Sequence, residues 1–451
     1  MPYFKYNGKF LVSAGSYVGG AGLAETQLDL VWDNIANVPV ASASSLSDWN
    51  TFFALPTNGS PFTSVVVDGN TVKLQGGSGI TIKAFLFQNN ANIIEVQEVG
   101  ASNCIDIVGD RAFSSATNLA IATLPGCTEV QGTLLSQGYG GFYNCTSLSS
   151  VNFTSLVTAG PGAFGFCTSL TTPSFPAMTA VGDGAFRSCT GLTTPLMPSV
   201  TTVAARGFNG CTNLTFAPGA AVVTTLGIYS FGSCTSLTNP SFPALTSESG
   251  FAFFGCSGLT TPSFPELLSV GTSTFSGCTN LTSSFAKVAT IGTDGFKNCT
   301  SMTTPSFPLL VAVNLRSFWG AGLTTPSFPS LTNIGQQSFL SCLSLTSITA
   351  ALVTTVGVQG FNSCTGLSSI SFPDCLTVGS SAWGGNTSMT TASLPAVTNL
   401  GGTAFNDNVF SGNSNMTSLT VPTAMETINA GQPDGDIAQL ISNYGTIITY
   451  V

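Results

Sequence analysis

A short phrase returns through this chain at nearly constant spacing, and any fold must accommodate it. In its cleanest copies it reads Phe-x-x-Cys-Thr-Ser-Leu-Thr-Thr-Pro-Ser-Phe-Pro, as over residues 164–176, and again over 296–308 with Met302 in place of Leu. The cysteines that anchor it fall at 145, 167, 189, 211, 234, 256, 278 and 299, with gaps of 22, 22, 22, 23, 22, 22 and 21 residues, then at 342 and 364. Where the cysteine is missing the frame survives, with Ala321 and Asn386 in its place. Self-similarity of this period marks a solenoid, in which each repeat is one coil that cannot bury its apolar row alone and does so by stacking on its neighbours.

Five positions of each coil recur as apolar. In one copy they are Val181, Phe186, Cys189, Leu192 and Met197; in another, Ile291, Phe296, Cys299, Met302 and Phe307. The run Leu-x-x-Pro/Val/Ile-x-Phe fits a strand whose alternate residues point inward. The run Gly-x-x-Ala-Phe-x-x-Cys is expected to return on the other side as a helical turn. The expected fold class is therefore a β-rich solenoid, a right-handed leucine-rich repeat with coils of about 22 residues. Pro173, Pro195, Pro240, Pro262, Pro305 and Pro326 stand in the strand run. Proline donates nothing to a ladder, so the sheet is expected to be narrow at that level.

Residues 1–100 read differently, as a small β-rich N-terminal domain for attachment or assembly. Phe4 to Val12 reads as two short strands around Asn7-Gly8, Ser47 to Phe53 as the start of a short helix, and Phe62 to Leu74 as a second hairpin around Asp68-Gly69. The solenoid is assigned to residues 101–422, with a Gly-rich insertion at 131–140. Residues 423–451 are read as a cap, a short amphipathic helix at 436–441 followed by a strand at 446–451. Caps are expected because an open solenoid end exposes its core and a free edge.

Composition narrows the function. Only 6% of the residues are charged, 10 Lys and Arg against 19 Asp and Glu, and no basic cluster exists. Nucleic acid is therefore not an expected ligand. The surface must be built from Ser, Thr, Asn and Gly instead of charge. No apolar window is long enough to span a bilayer, so no membrane insertion is expected. The N-terminus lacks the basic-then-apolar pattern of a signal peptide.

The chain contains no His and 13 Cys, without a Cys-x-x-Cys pair. Zinc-site spacing and His-assisted nucleophiles are thereby missing. Phased cysteines read as buried free thiols stacked coil upon coil. Glu248 and Glu266, 18 residues apart, are the one carboxylate pair that adjacent coils could bring together for glycoside hydrolysis, against the plainer reading of two solvated acids. Gly160 to Gly165 formally matches Gly-x-Gly-x-x-Gly but has no strand–helix setting for a dinucleotide. Triplets such as Asn144-Cys145-Thr146 place the buried anchor inside an acceptor motif for glycosylation and read as by-products of the repeat. A row formed by Thr168, Thr190, Thr212 and Thr235 reads either as a flat hydroxyl face for ice or sugar or as threonines suited to exposed strands and turns. No catalytic, cofactor-binding or metal-binding residue is assigned.

The phrase Ala-Phe-x-x-Cys-Thr-Ser-Leu-Thr resembles the BspA-type leucine-rich repeat of bacterial surface proteins, over roughly residues 110–422. The Tyr6-Asn7-Gly8-Lys9 hairpin, the Trp49-Asn50-Thr51-Phe52-Phe53 segment and the Tyr450-Val451 ending resemble virion fibre and appendage proteins of bacteriophages. Together these resemblances imply a non-enzymatic virion structural protein without a cofactor, a tail or head fibre. It would contact other virion proteins through residues 1–100, assemble as a homo-oligomer with a trimer favoured, and display its repeats to a host surface protein or polysaccharide. The alternatives are a BspA-type adhesin on a bacterial cell surface and an ice- or glycan-binding solenoid.

Overall fold

Each coil of the structure, a computed structural model, is a flattened loop held by hydrogen bonds to the coils before and after it. The structure describes residues 105–133, 139–400, 409–426 and 445–451, with 88–89, 441 and the strands Thr26–Trp32, Phe53–Ala54, Ser64–Asp68, Thr71–Gly76, Ile80–Ile82 and Ile93–Val99. The chain divides into two compact units, Met1–Leu237 and Thr238–Val451.

Two parallel ladders run through each unit. The first consists of two-residue strands. In the N-terminal unit Thr158–Ala159, Ala180–Val181, Thr202–Val203 and Thr225–Leu226 pair in succession. In the C-terminal unit the series runs from Ser269–Val270 to Asn399–Leu400. The second residue of each strand is apolar and buried, as alternation along a strand requires.

The second ladder carries the Leu-x-x-Pro-x-Phe run, and it is as narrow as the prolines predict. In the proline-bearing coils it shrinks to single bridges, Ser174↔Leu196, Ser241↔Ser263 and Ser306↔Ser327. Bonds to the proline carbonyls persist, such as Leu196 N–H to Pro173 O at 2.9 Å and Ser263 N–H to Pro240 O at 2.9 Å. Without proline the strands widen: Ser369–Ser371, Thr391–Ser393, Ser418–Val421 and Ile447–Tyr450 form a four-stranded parallel sheet. The last of these is the strand expected at the C-terminal end. The helix expected at 436–441 lies outside the described residues apart from Ile441.

The return side departs from the sequence reading: it is a run of turns, not a helical turn. In the coil around Cys189, Ala185 and Arg187 donate backwards to Gly182 and Gly184, while Gly184, Phe186 and Ser188 donate to Ala205, Gly207 and Asn209 of the next coil. A helix would direct every N–H along its own axis and leave none for the neighbour. Alternating the direction needs left-handed residues, and most coils have two, here Gly184 (φ 60°) and Ser188 (φ 55°). The position before the anchor is accordingly Ser, Asn or Gly in nearly every coil, the residue types that tolerate this conformation.

All five apolar positions named from the sequence are buried in both example coils. The anchor phenylalanines stack face to face. Phe113, Phe142, Phe164, Phe186, Phe208 and Phe231 lie 5.1–5.4 Å apart with planes within 11°. In the C-terminal unit Phe253 to Phe361 continue this geometry, and the stack ends on Trp383 and Phe410. A second column meets the first edge-on or tilted: Phe307 touches the rings of Phe285, Phe296, Phe318 and Phe328. Such pairs add about 0.5–1.5 kcal/mol each beyond their buried area.

Strands from the first hundred residues extend both ladders. Ile93–Val99 pairs in parallel with Ile121–Thr123, and Ile80–Ile82 pairs in parallel with Ile105–Val108. Ser64–Asp68 and Thr71–Gly76 form the hairpin expected at Asp68-Gly69. The hairpin expected around Asn7-Gly8 lies outside the described residues, as does the helix start expected at 47–53 apart from Phe53, which instead begins the strand Phe53–Ala54 paired with Ile80–Ile82. In the insertion at 131–140, Gly132–Thr133 pairs with Tyr139–Gly140.

Candidate functional surfaces

Three kinds of side chain were singled out by the sequence: carboxylates, thiols and threonines. The first two are committed to internal partners. The Glu248 carboxylate accepts from the Gly250 N–H, from the Gly271 N–H at 2.6 Å and from Thr274 Oγ1 at 2.7 Å. Glu266 pairs with Lys287 Nζ at 2.6 Å on the exposed surface. The two acids are thus held by different partners, one stitching coils together and one in a solvated ion pair. Asp183 pairs with Arg206 at 3.3 Å, and Asp294 with Arg316 at 3.2 Å. At the Gly160 motif, Gly160 N–H goes to Val130 O, Gly162 N–H to Asp183 O and Phe164 N–H to Ala185 O. The amides a phosphate would need are spent on neighbouring coils.

The described cysteines are buried and stand outside any disulfide. From coil to coil the anchor thiol finds the same kind of acceptor, the carbonyl of the anchor Phe in the preceding coil: Cys189 Sγ to Phe164 O at 3.0 Å, Cys211 to Phe186 at 3.0 Å, Cys278 to Phe253 at 3.1 Å. That carbonyl already accepts the N–H of its own coil's cysteine, as Phe164 O does from Cys167. The thiol occupies its second lone pair, which explains Cys in a slot where Ala also fits. Burial pushes the Cys189 thiol up to about 12. Cys167, Cys211 and Cys278 are also raised well above the usual range, by burial first and by neighbouring thiols second. Such groups are protonated and inert at neutral pH. Near the C-terminal end Asn takes the slot: Asn386 Oδ1 accepts the Cys364 N–H at 2.8 Å, and Asn413 Oδ1 accepts the Asn386 N–H at 2.7 Å.

The threonines divide into two populations. In one, backbone N–H and hydroxyl of the same residue both donate to one carbonyl of the preceding coil. Thr346 bonds Thr324 O at 2.8 Å through N and 3.2 Å through Oγ1, and Thr390 bonds Ser368 O at 2.8 and 3.2 Å. The row named from the sequence behaves partly this way, with Thr168 Oγ1 on Thr146 O at 3.4 Å and Thr235 Oγ1 on Thr212 O at 3.2 Å. These hydroxyls fill a carbonyl lone pair and support the threonine-as-scaffold reading of that row. The second population flanks the proline of the narrow ladder, and it was not singled out in the sequence. Its signal is the alternation Ser/Thr-x-Ser/Thr repeated at coil spacing.

The return side holds the other group that periodicity did not reveal. Arg111 lies over the Tyr139 ring at 4.6 Å, Tyr139 meets Tyr143 edge-on at 4.6 Å, Tyr143 meets Phe166 at 5.3 Å, and Arg187 covers Phe166 at 5.7 Å. In the C-terminal unit Lys297 sits 4.1 Å over Trp319, beside Arg316 and Asp294. These residues occupy coil positions where side chains face outward and the repeat imposes no type. Among the described residues no cluster of His, Cys, Asp and Glu could hold a metal ion, and no helix is long and apolar enough to cross a membrane.

A fold of stacked two-ladder coils with a Phe-x-x-Cys turn matches the BspA type leucine-rich repeat region, in six copies over residues 80–215, 219–321 and 311–432. The chain belongs to that family. Among solved structures it is similar to a leucine-rich repeat protein from Bacteroides ovatus, with 20% identity, 86% of this chain and 90% of that chain covered, and a TM-score of 0.53. A leucine rich cell surface protein from Faecalibacterium prausnitzii also matches, at 20% identity, 84% and 94% coverage and a TM-score of 0.37. The pneumococcal vaccine antigen PcpA matches at 14% identity, 88% and 98% coverage and a TM-score of 0.42. No curated protein matches in sequence.

Proposed function

We propose that the protein is a non-enzymatic adhesin displayed on a bacterial cell surface, with its stacked coils as the binding face. The observation that carries this reading is the repeat itself. It is a BspA-type array, of a kind borne by bacterial surface proteins, whose candidate acids Glu248 and Glu266 are held by separate partners and whose described thiols are sealed in the core. What remains for function is a broad, nearly uncharged surface of hydroxyls and amides, suited to recognition through many weak contacts. The virion reading draws on Tyr6 to Lys9 and Trp49 to Phe53, nearly all outside the described residues, and on Tyr450-Val451. That ending is accounted for by the last strand of the second ladder, so the family match favours the cellular reading.

The test is adhesion of the full chain. Beads coated with it are expected to attach to epithelial cells and to a mucin-coated surface well above beads carrying a charge-matched globular protein. Attachment no better than the control overturns the adhesin reading. Antibody labelling of intact cells of the source organism checks display; label found only after lysis removes it.

A further inference from the structure

We propose that the outward face of the second ladder in the C-terminal unit is a binding site for a neutral, linear polysaccharide. Its core element is two parallel columns of hydroxyls. In the proline-bearing coils the columns hold Thr304 and Ser306, then Thr325 and Ser327, all exposed, with Pro305 and Pro326 buried between them. The register is set by the bridges Ser306↔Ser327 and Ser327↔Thr349. In the wide sheet the columns continue as Ser369 and Ser371, Thr391 and Ser393, Ser418 and Thr420, paired side by side. Backbone alternation places both members of each pair on the outer face, about 6.6 Å apart along the strand and about 4.8 Å from those of the next coil.

Two independent observations separate this face from an ordinary polar surface. The first is that these hydroxyls have no hydrogen-bond partner among the described residues, whereas Thr324, Thr346 and Thr390, close by in the same coils, spend theirs on the preceding coil. The scaffold holds Thr324, Thr346 and Thr390, and the column hydroxyls beside them are left to solvent or ligand. The second is a groove of about 320 Å³ on the face, lined by Ser369, Ser371, Thr391, Ser393, Ser418 and Thr420 among others. Ile370 and Ala392, whose side chains are buried, lie between the hydroxyl rows at its floor.

The ligand class follows from this chemistry. Each hydroxyl both donates and accepts, which matches sugar hydroxyls. None of the unit's charged residues stands in the columns, so an ionic polysaccharide would lose hydration without gaining a counter-charge. A concave groove suits a chain molecule better than the flat plane of an ice crystal. Single hydroxyl–hydroxyl bonds gain little over water, so affinity must accumulate over successive coils. Long polymers are therefore expected to bind and short oligosaccharides to compete poorly.

This inference rests on the adhesin reading for its biological setting only, and the experiment separates the two. Native affinity electrophoresis of the full chain is run in gels containing amylose, a mixed-linkage β-glucan, mannan or arabinoxylan, with alginate as the anionic control. At least one neutral polymer is expected to retard the chain. The triple variant Ser371→Ala, Thr391→Val, Ser393→Ala should weaken that binding at least tenfold, with an unchanged melting curve. Thr346→Val, in the saturated ladder, should leave binding unchanged. If the triple variant melts early, Ser393→Trp, which fills the groove and removes no internal hydrogen bond, should abolish retardation. Retardation by none of the neutral polymers, by alginate alone, or equally for wild type and groove variants overturns the proposal, as does shaping of ice without retardation. Neutral-polymer retardation that persists in the triple variant overturns this site and leaves the adhesin reading standing; a wild-type chain that is retarded by a neutral polymer but fails to adhere to cells does the reverse.

Discussion

The proline-bearing coils and the C-terminal coils stack in the same way with different means. Around Pro305 and Pro326 the second ladder is one bridge per coil, whereas from Ser369 to Tyr450 it is a four-stranded parallel sheet. The anchor slot changes in the same direction, from a run of thiols to Asn386 and Asn413. The ring stack changes as well. Phe307 has four ring neighbours at 5.4–6.1 Å, while Phe372 has two at 6.1 and 6.3 Å. The middle coils thus rely on side chains in the core and proline-restricted backbone, the end coils on backbone hydrogen bonds. A solenoid does not need a continuous sheet if its return turns and its core are regular.

The largest effect expected from this contrast is at the anchor slot. Cys278→Asp buries a carboxylate where the thiol's only acceptor is a carbonyl, and should cost more than about 4 kcal/mol. Asn386→Asp should cost much less, because the Cys364 N–H already points at Oδ1. Chemical denaturation of both variants checks the difference; equal costs would remove the distinction between the two slots. Cys278→Ala, which leaves only a small cavity, should cost about 1–2 kcal/mol.

Next comes the core. Phe307→Ala should cost about 3–5 kcal/mol, and Phe372→Ala roughly 1 kcal/mol less for its missing ring partners. The melting temperatures of the two variants give the order, and the reverse order would count against stacking as the support of the middle coils.

Alkaline pH probes the thiols. The folded value of Cys189 is raised to about 12 against about 8.5 in an unfolded chain. Its stabilising contribution is therefore complete below about pH 8.5 and is lost as the pH rises from there towards 12. Each such thiol should cost about 1.4 kcal/mol per pH unit across that window. Melting scans from pH 7 to 10 should show a steep fall, and pulse alkylation should reach cysteines of the thiol-rich coils together. A chain carrying Cys→Ala at several anchor slots should show a shallower fall; an unchanged slope would exclude the thiols as its cause.

The smallest expected effect concerns the prolines. Ile370→Pro removes one ladder N–H, about 1 kcal/mol, but restricts the unfolded chain by a similar amount. Stability should therefore change by no more than about 1 kcal/mol, compared with about 3 kcal/mol for proline inside a regular helix. Pro305→Ile should likewise be nearly neutral. A large loss in Ile370→Pro would show that the C-terminal sheet is needed as a sheet.

The sequence alone was enough to place the coils, the buried row from Val181 to Met197 and the narrowing at the prolines. Those properties follow from periodicity and from the missing proline N–H, and both are local. Its reading of the return side as a helical turn failed because the alternating bonds there run to residues 21 amino acids further on, as from Phe186 to Gly207. Thr346 and Ser371 are equally small, polar and periodic in the sequence. Only the stacked structure commits the first to a carbonyl of the coil before it and leaves the second facing a groove. The cation–aromatic clusters at Arg111 and Lys297 were hidden for the same reason, since residues more than twenty positions apart become neighbours only when the coils close. Periodicity reports which side of a coil is dry. Which polar group is already satisfied depends on the partner the next coil supplies, and that the tertiary structure decided.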